Sequence, residues 1–318
     1  MRRIIYLLTI IFLPGIVMSQ ERYQDQIADS VQVDTYSYAI KDGEDLGLDI
    51  YQPYGDTASN RVMIIYVHGG GFTEGTRDDK TSVEFCRQLA GLGYVSVSMS
   101  YRLTRKDSAS GFGCDCPAVD KINTFGAAVQ DIQDATYFLI ENRAQFRINP
   151  QKIILAGSSA GAEAILSTGY QPPMCYDLPS GPVAYAGLIS MAGAIPDTTV
   201  MYDESVVPTM FFHGTCDDVV PYATGPHRYC KESDAGYLIM YGSYTLAQKL
   251  HDLNKPYWLY SVCGAGHEMA SIPMTRYFDD IKEFCYQYII KGKGEFRNTV
   301  VPGDQASCTH GQYDFCDQ

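Results

Sequence analysis

Ser159 stands at the centre of Gly157-Ser158-Ser159-Ala160-Gly161, after a short apolar run, 153–156, and before Ala162-Glu163-Ala164-Ile165-Leu166, which reads as a helix start. A serine hydroxyl becomes a nucleophile when the backbone exposes it and a neighbouring base takes its proton. Glycines two positions to either side let the chain turn sharply from strand to helix, which selects Ser159 over Ser158 as the exposed residue. Taken alone, the pattern also describes a glycine-rich loop with a helix-capping serine.

Three further segments supply what such a nucleophile needs. His267, in Cys263-Gly264-Ala265-Gly266-His267-Glu268, is the one histidine of six in a glycine-rich loop that follows the candidate acid, and it is the expected base. The acid comes from Cys216-Asp217-Asp218-Val219-Val220-Pro221, where either carboxylate could hold an imidazole tautomer or merely finish a turn. His68-Gly69-Gly70-Gly71-Phe72 follows the apolar run 62–67. Backbone N–H groups of Gly70 and Gly71 there, with that of Ala160, suit the negative oxygen of a tetrahedral intermediate. A phosphate-cradling loop would need a Lys followed by Ser or Thr, which this segment lacks. His68 and His213 read as structural hydrogen-bonding residues, and His227, His251 and His310 as surface or loop residues.

Side chains so far apart in sequence converge only if regular elements bring their loops to one edge. Segments 36–40 and 46–51 alternate and flank Asp42-Gly43, which predicts an antiparallel pair. Apolar runs at 62–67, 94–99, 153–156, 184–190, 209–212 and 257–262 predict strands buried on both faces. Helices are expected over 85–92, 127–146, 244–253 and 273–290, so strands and helices alternate as in a parallel sheet covered on both sides. Loops 104–119, 171–182 and 221–236 are long and rich in Gly, Pro and Cys, which marks them as candidate lids.

Composition narrows the field. A chain of 318 residues, 46% hydrophobic, can bury a large core, and a net charge of −13 with no basic run argues against a nucleic-acid partner. Arg2 and Arg3, the apolar stretch 4–13 and Val17-Met18-Ser19 predict a signal peptide over 1–19. No membrane anchor is expected after its cleavage, since that stretch falls short of the roughly 20 residues a spanning helix needs. The expected location is secreted or periplasmic, with a catalytic domain over 20–295 and a polar, cysteine-containing tail over 296–318. Ten cysteines in an exported chain permit disulfides, and no second close Cys or His pair completes a metal site around Cys114-Asp115-Cys116.

With these motifs in place, the sequence resembles the esterase and lipase branch of the α/β-hydrolase superfamily, especially the carboxylesterases related to hormone-sensitive lipase and the bacterial feruloyl and acetyl esterases. The resemblance runs from about Leu46 to Ile290. It is carried by His68 to Phe72, Tyr101-Arg102-Leu103, Asp131 and Asp134, Asn149-Pro150, the order Ser159, Asp217, His267, and His213-Gly214-x-x-Asp217-x-x-Val220-Pro221, which favours Asp217 over Asp218. It implies the α/β-hydrolase fold, a mostly parallel central sheet with helices on both faces. The implied activity is carboxylic-ester hydrolysis through an acyl-enzyme, with neither metal nor organic cofactor. The nucleophile motif reads Ser-Ser-Ala-Gly-Ala where hormone-sensitive-lipase relatives commonly have Asp-Ser-Ala-Gly-Gly, so acyl and alcohol specificity do not carry over. The strand order of that fold would also set Cys216 beside Cys263, which suggests a disulfide bracing the acid and histidine loops.

Expected substrates are small-molecule or polysaccharide esters, acetyl or feruloyl, or short-chain lipids. The same machinery in a serine peptidase or amidase is the nearest alternative, and the chain has no room for the propeller domain of prolyl-oligopeptidase relatives. A non-catalytic binding protein that retains the fold normally shows a lost triad member, which this sequence does not.

Overall fold

A computed structural model describes residues 20–171, 184–303, 308 and 313–317. Residues 1–19, where a signal peptide is expected, most of loop 171–182 with Cys175, and His310 lie outside the described residues.

The chain opens with an antiparallel hairpin, β1 (Val31–Lys41) and β2 (Glu44–Pro53), turned at Asp42 and Gly43. Then come β3 (Arg61–Val67), α1 (Lys80–Gly91), β4 (Val95–Met99), α2 (Ala118–Glu141), a short α3 (Arg143–Phe146), β5 (Ile148–Ser158) and α4 (Ala160–Gly169). The second half adds β6 (Gly187–Met191), β7 (Ala194–Ile195), β8 (Thr209–Gly214), β9 (Thr224–Pro226), β10 (Ile239–Gly242), α5 (Ser243–Asp252) and β11 (Tyr257–Cys263). It closes with α6 (Pro273–Arg276), α7 (Phe278–Phe284), a π-helical turn (Cys285–Ile290) and β12 (Phe296–Pro302).

Nine strands form one sheet in the order β1-β2-β4-β3-β5-β6-β8-β11-β12, antiparallel through β1, β2 and β4 and parallel from β4 onward. Every residue of β3 is buried, because alternate side chains feed opposite cores. Met63, Ile65 and Val67 join a cluster with α2, α4 and α5, while Val62, Ile64 and Tyr66 join one with α1 and α7. The chain leaves β3 for β4 on one side and returns to β5 on the other. That reversal of winding opens a crevice at the carboxyl ends of β3 and β5.

Several elements differ from the sequence expectation. Helix α2 begins at Ala118, nine residues before the expected start at 127, because Asp120, Lys121, Asn123, Thr124 and Gly126 blur its apolar period. The expected helix 273–290 is broken at Tyr277 and ends in the π-helical turn. Loop 221–236 contributes β9, which with β7 and β10 forms a small antiparallel sheet. Segment 296–302, expected within a polar tail, is the edge strand β12, parallel to β11; its outward face is exposed, so its hydrophobic pattern is faint. Among the described residues no helix is long and apolar enough to cross a membrane.

Candidate active site

The turn from β5 into α4 holds Ser159 at φ 50° and ψ −120°, in the left-handed half of backbone space that non-glycine residues seldom adopt. Such a conformation persists only where surroundings enforce it. Ser159 N–H donates to Met191 O at 2.8 Å, and the turn lies so close to β3 that a methyl group on Gly161 would fall 2.1 Å from Val67 O. Only glycine fits there. Ser158 is directed elsewhere and donates to Ala270 O at 2.6 Å, so the two adjacent serines have different partners.

Ser159 Oγ lies 2.7 Å from His267 Nε2, and His267 Nδ1 lies 2.8 Å from Asp217 Oδ2. In the tautomer this geometry suits, Nδ1–H donates to the carboxylate and Nε2 accepts from the serine hydroxyl. Asp217 is fully buried, while Asp218 is exposed. The second oxygen of Asp217 accepts the backbone N–H groups of Val219 and Val220, each at 2.9 Å. Burial alone would raise the Asp217 pKa, but hydrogen bonds from His213 and His267 and the nearby ring charges outweigh it, holding the carboxyl well below the usual range. His213 donates to Val220 O at 3.0 Å, accepts from Ser243 at 2.8 Å, and lies 3.4 Å from Asp217. It braces the acid turn, in keeping with the structural part read from the sequence.

The glycine loop after β3 runs beside the serine turn: a methyl on Gly69 would lie 3.2 Å from Ser159 Cβ. Gly70, at φ 117°, turns the loop back so that its carbonyl accepts from the N–H groups of Thr73 and Glu74, each at 3.1 Å. Gly71 follows at φ 59°. His68 donates to Gly69 O at 2.7 Å and packs against Tyr101, whose hydroxyl donates to His68 O at 2.9 Å. Burial lowers the His68 pKa, which keeps this ring neutral and structural. Arg102 and the buried Asp131 pair at 2.8 Å, fixing the loop after β4 to α2, and Asp134 pairs with Lys41.

The cysteines do not pair as expected. Cys216 bonds Cys308 and Cys263 bonds Cys316, so the acid loop and the histidine loop are each tied to the carboxyl-terminal segment rather than to one another. Strand adjacency brings Cys216 and Cys263 near, but Cys308 and Cys316 offer each a separate partner. Cys114–Cys230 joins loop 104–119 to loop 221–236. Among the described residues the one group with metal-like spacing is Cys114, Cys230 and Asp234, and its two sulfurs are consumed by that bond.

A second polar cluster beneath the serine escaped the sequence reading. Glu163, one turn along α4 from Ser159, is buried with Oε1 lacking a hydrogen-bond partner, 3.4 Å from His227 Nε2. His227, expected to be a surface or loop residue, sits in a loop but is 1% exposed, because Lys121 of α2 and Glu163 of α4 pack against its ring. Lys121, equally buried, donates to Gly236 O at 2.8 Å and approaches His227 Nδ1 at 3.2 Å. Burial pushes Glu163 up to about 8 against the pull of Arg228 and Lys121, and pushes His227 well below its ordinary value. The available signal was a lone acid inside the apolar stretch Ala-Gly-Ala-Glu-Ala-Ile-Leu.

This sheet order, with the tight turn at Ser159 between β5 and α4, is the α/β-hydrolase fold, and the chain is similar to esterases of the carboxylesterase and lipase branch. The BD-FAE family model matches residues 48–173, which span the glycine loop and the serine turn. A thermophilic esterase from Thermogutta terrifontis with propionate bound superposes with a TM-score of 0.58 at 19% identity, over 82% of this chain and 95% of that one. The Thermogutta terrifontis esterase 2 phosphoramylated by tabun gives 0.57 at 19% identity, over 82% and 96%. At that identity the likeness establishes the fold. Esterase B1 of Culex pipiens is 35% identical over 103 residues, 32% of this chain and 18% of that protein. The non-reducing polyketide synthase atr1 of Stereocaulon alpinum is 25% identical over 166 residues, 49% of this chain and 6% of that protein. The chain thus spans less than a fifth of the length of these curated relatives.

Proposed function

We propose that this chain is a serine carboxylesterase acting through an acyl-enzyme. The observation that carries the reading is the unbroken contact from Ser159 Oγ through His267 to the buried Asp217. In this reading Ser159 attacks the ester carbonyl as its proton passes to His267 Nε2. Asp217 holds the ring tautomer and stabilises the imidazolium. The backbone N–H groups of Gly70, Gly71 and Ala160 receive the oxyanion, a contribution worth about 100- to 1,000-fold for one donor. His267 then returns the proton to the departing alcohol, and a water deprotonated by the same ring releases the acid.

The substrates proposed are acetyl or feruloyl esters of polysaccharides, or short-chain lipids. A structural neighbour crystallised with propionate supports a short acyl group. Three disulfides among the described residues suit an oxidising compartment, in line with cleavage of 1–19 and secretion or periplasmic location. The test is hydrolysis of a p-nitrophenyl ester series from acetate to decanoate, with methyl ferulate and acetylated xylan alongside, by the native protein and Ser159→Ala. Turnover by the native protein alone supports the reading; equal rates from both proteins overturn it.

A further inference from the structure

Loop 221–236 carries a cation that this mechanism does not use. Arg228 adopts φ 54° and ψ 23°, and Tyr229 follows at φ 50°. Two successive non-glycine residues in left-handed conformation have to be held by their surroundings. Here Arg228 N–H donates to Val219 O at 3.0 Å, in the acid loop, and Cys230 is bridged to Cys114. The consequence is direction. Arg228 Nη2 lies 3.5 Å from where a methyl on Gly71 would stand, so the guanidinium borders the glycine loop.

That guanidinium lacks the partners such a group ordinarily has. Its Nε is buried without a hydrogen bond, and among the described residues no carboxylate forms an ion pair with it. The buried acid in its vicinity is Glu163, whose pKa, raised to about 8, leaves it mostly protonated at neutral pH and unable to neutralise the arginine. Lys121, on the other side of His227, adds positive charge to the same cluster. In a chain of net charge −13, an unpaired cation beside the glycine loop is not a by-product of a basic surface.

We propose that Arg228 binds a carboxylate carried by the substrate close to the scissile ester, so that the enzyme selects anionic esters such as hemiesters of dicarboxylic acids or acyl esters on acidic sugars. The planar guanidinium presents paired donors that match a carboxylate, and it borders Gly71, one of the proposed oxyanion donors. Arg228 is a specificity residue in this account and takes no part in bond making. The inference rests on the serine-esterase reading.

Two substrate pairs separate the positions a carboxylate could occupy. p-Nitrophenyl hemisuccinate against p-nitrophenyl butyrate places it on the acyl side, and 4-acetoxybenzoate against p-tolyl acetate places it on the alcohol side. The quantity read is the ratio of kcat/KM for the charged over the neutral member, compared between the native protein, Arg228→Gln and Arg228→Lys. Comparing enzymes on one pair cancels the intrinsic reactivity of the esters. Expected is a fall in that ratio of about tenfold or more in Arg228→Gln for at least one pair, seated in KM, with partial retention in Arg228→Lys. A ratio unchanged within twofold for both pairs overturns the proposal, even if overall activity drops, because a structural role would slow both members alike. Failure of the native protein on all four esters, charged and neutral, would instead sink the esterase reading itself.

Discussion

Replacing Glu163 by glutamine tests the buried cluster beneath the nucleophile. The carboxyl is 2% exposed on α4, with Lys121 from α2, His227 and Arg228 from loop 221–236, and Asp217 from the acid loop acting on it. Burial raises its pKa from 4.5 to about 8, the two cations pulling the other way. Because the folded pKa is the higher one, the folded chain keeps a proton that the unfolded chain releases. Below pH 4.5 both states are protonated and the group carries no penalty; as pH rises through about 8 the penalty grows to its limit. Between pH 5 and pH 8 this amounts to a loss on the order of 3 kcal/mol of stability from one group. Glutamine has nearly the same shape and no proton to lose. The measurement is urea unfolding of the native protein and Glu163→Gln at pH 5, 6.5 and 8 with disulfides intact. The variant should gain on the native protein steadily with pH, by about 3 kcal/mol over the range. A constant difference between the two would refute the reasoning, and a native protein that gained on the variant would mean Lys121 and Arg228 hold Glu163 ionised.

Asp217→Asn should keep the fold and lower kcat by about 10,000-fold, since the amide favours the wrong imidazole tautomer. A loss under tenfold would remove Asp217 from the orienting role. Cys308→Ser and Cys316→Ser should each lower unfolding stability by about 2 to 4 kcal/mol, because they release loops closed over 92 and 53 residues. Mild reduction should have the same effect on the native protein. A melting temperature indifferent to both substitutions would mean that the closing segment does not anchor the acid and histidine loops.

What the sequence determined by itself is what local physics encodes. A strand covered on both faces has to be apolar at every position, so 62–67 was legible as β3 without any neighbour in view. A serine in a sharp turn pressed against a strand has to be flanked by glycines, so the turn at Ser159 was legible from five residues together with the apolar run before them and the helix start after. Gly70, Gly71, Asp217 and His267 were legible as loop residues after apolar strands, and Ala160 as the residue after the serine, although the choice of Asp217 over Asp218 leaned on family resemblance. Only the tertiary structure decided which groups far apart in the chain meet. Cys216 and Cys263 lie on neighbouring loops, yet each is joined to Cys308 or Cys316 instead, because a disulfide depends on which sulfur comes within reach rather than on strand order. His227 looked like a loop residue, and packing of α2 and α4 around it turned it into part of a buried charged cluster. Strand β12 is exposed on its outward face, so no apolar period announced it; pairing with β11 made it a strand. Burial and pairing belong to the assembled chain, since the surfaces that confer them come from other segments.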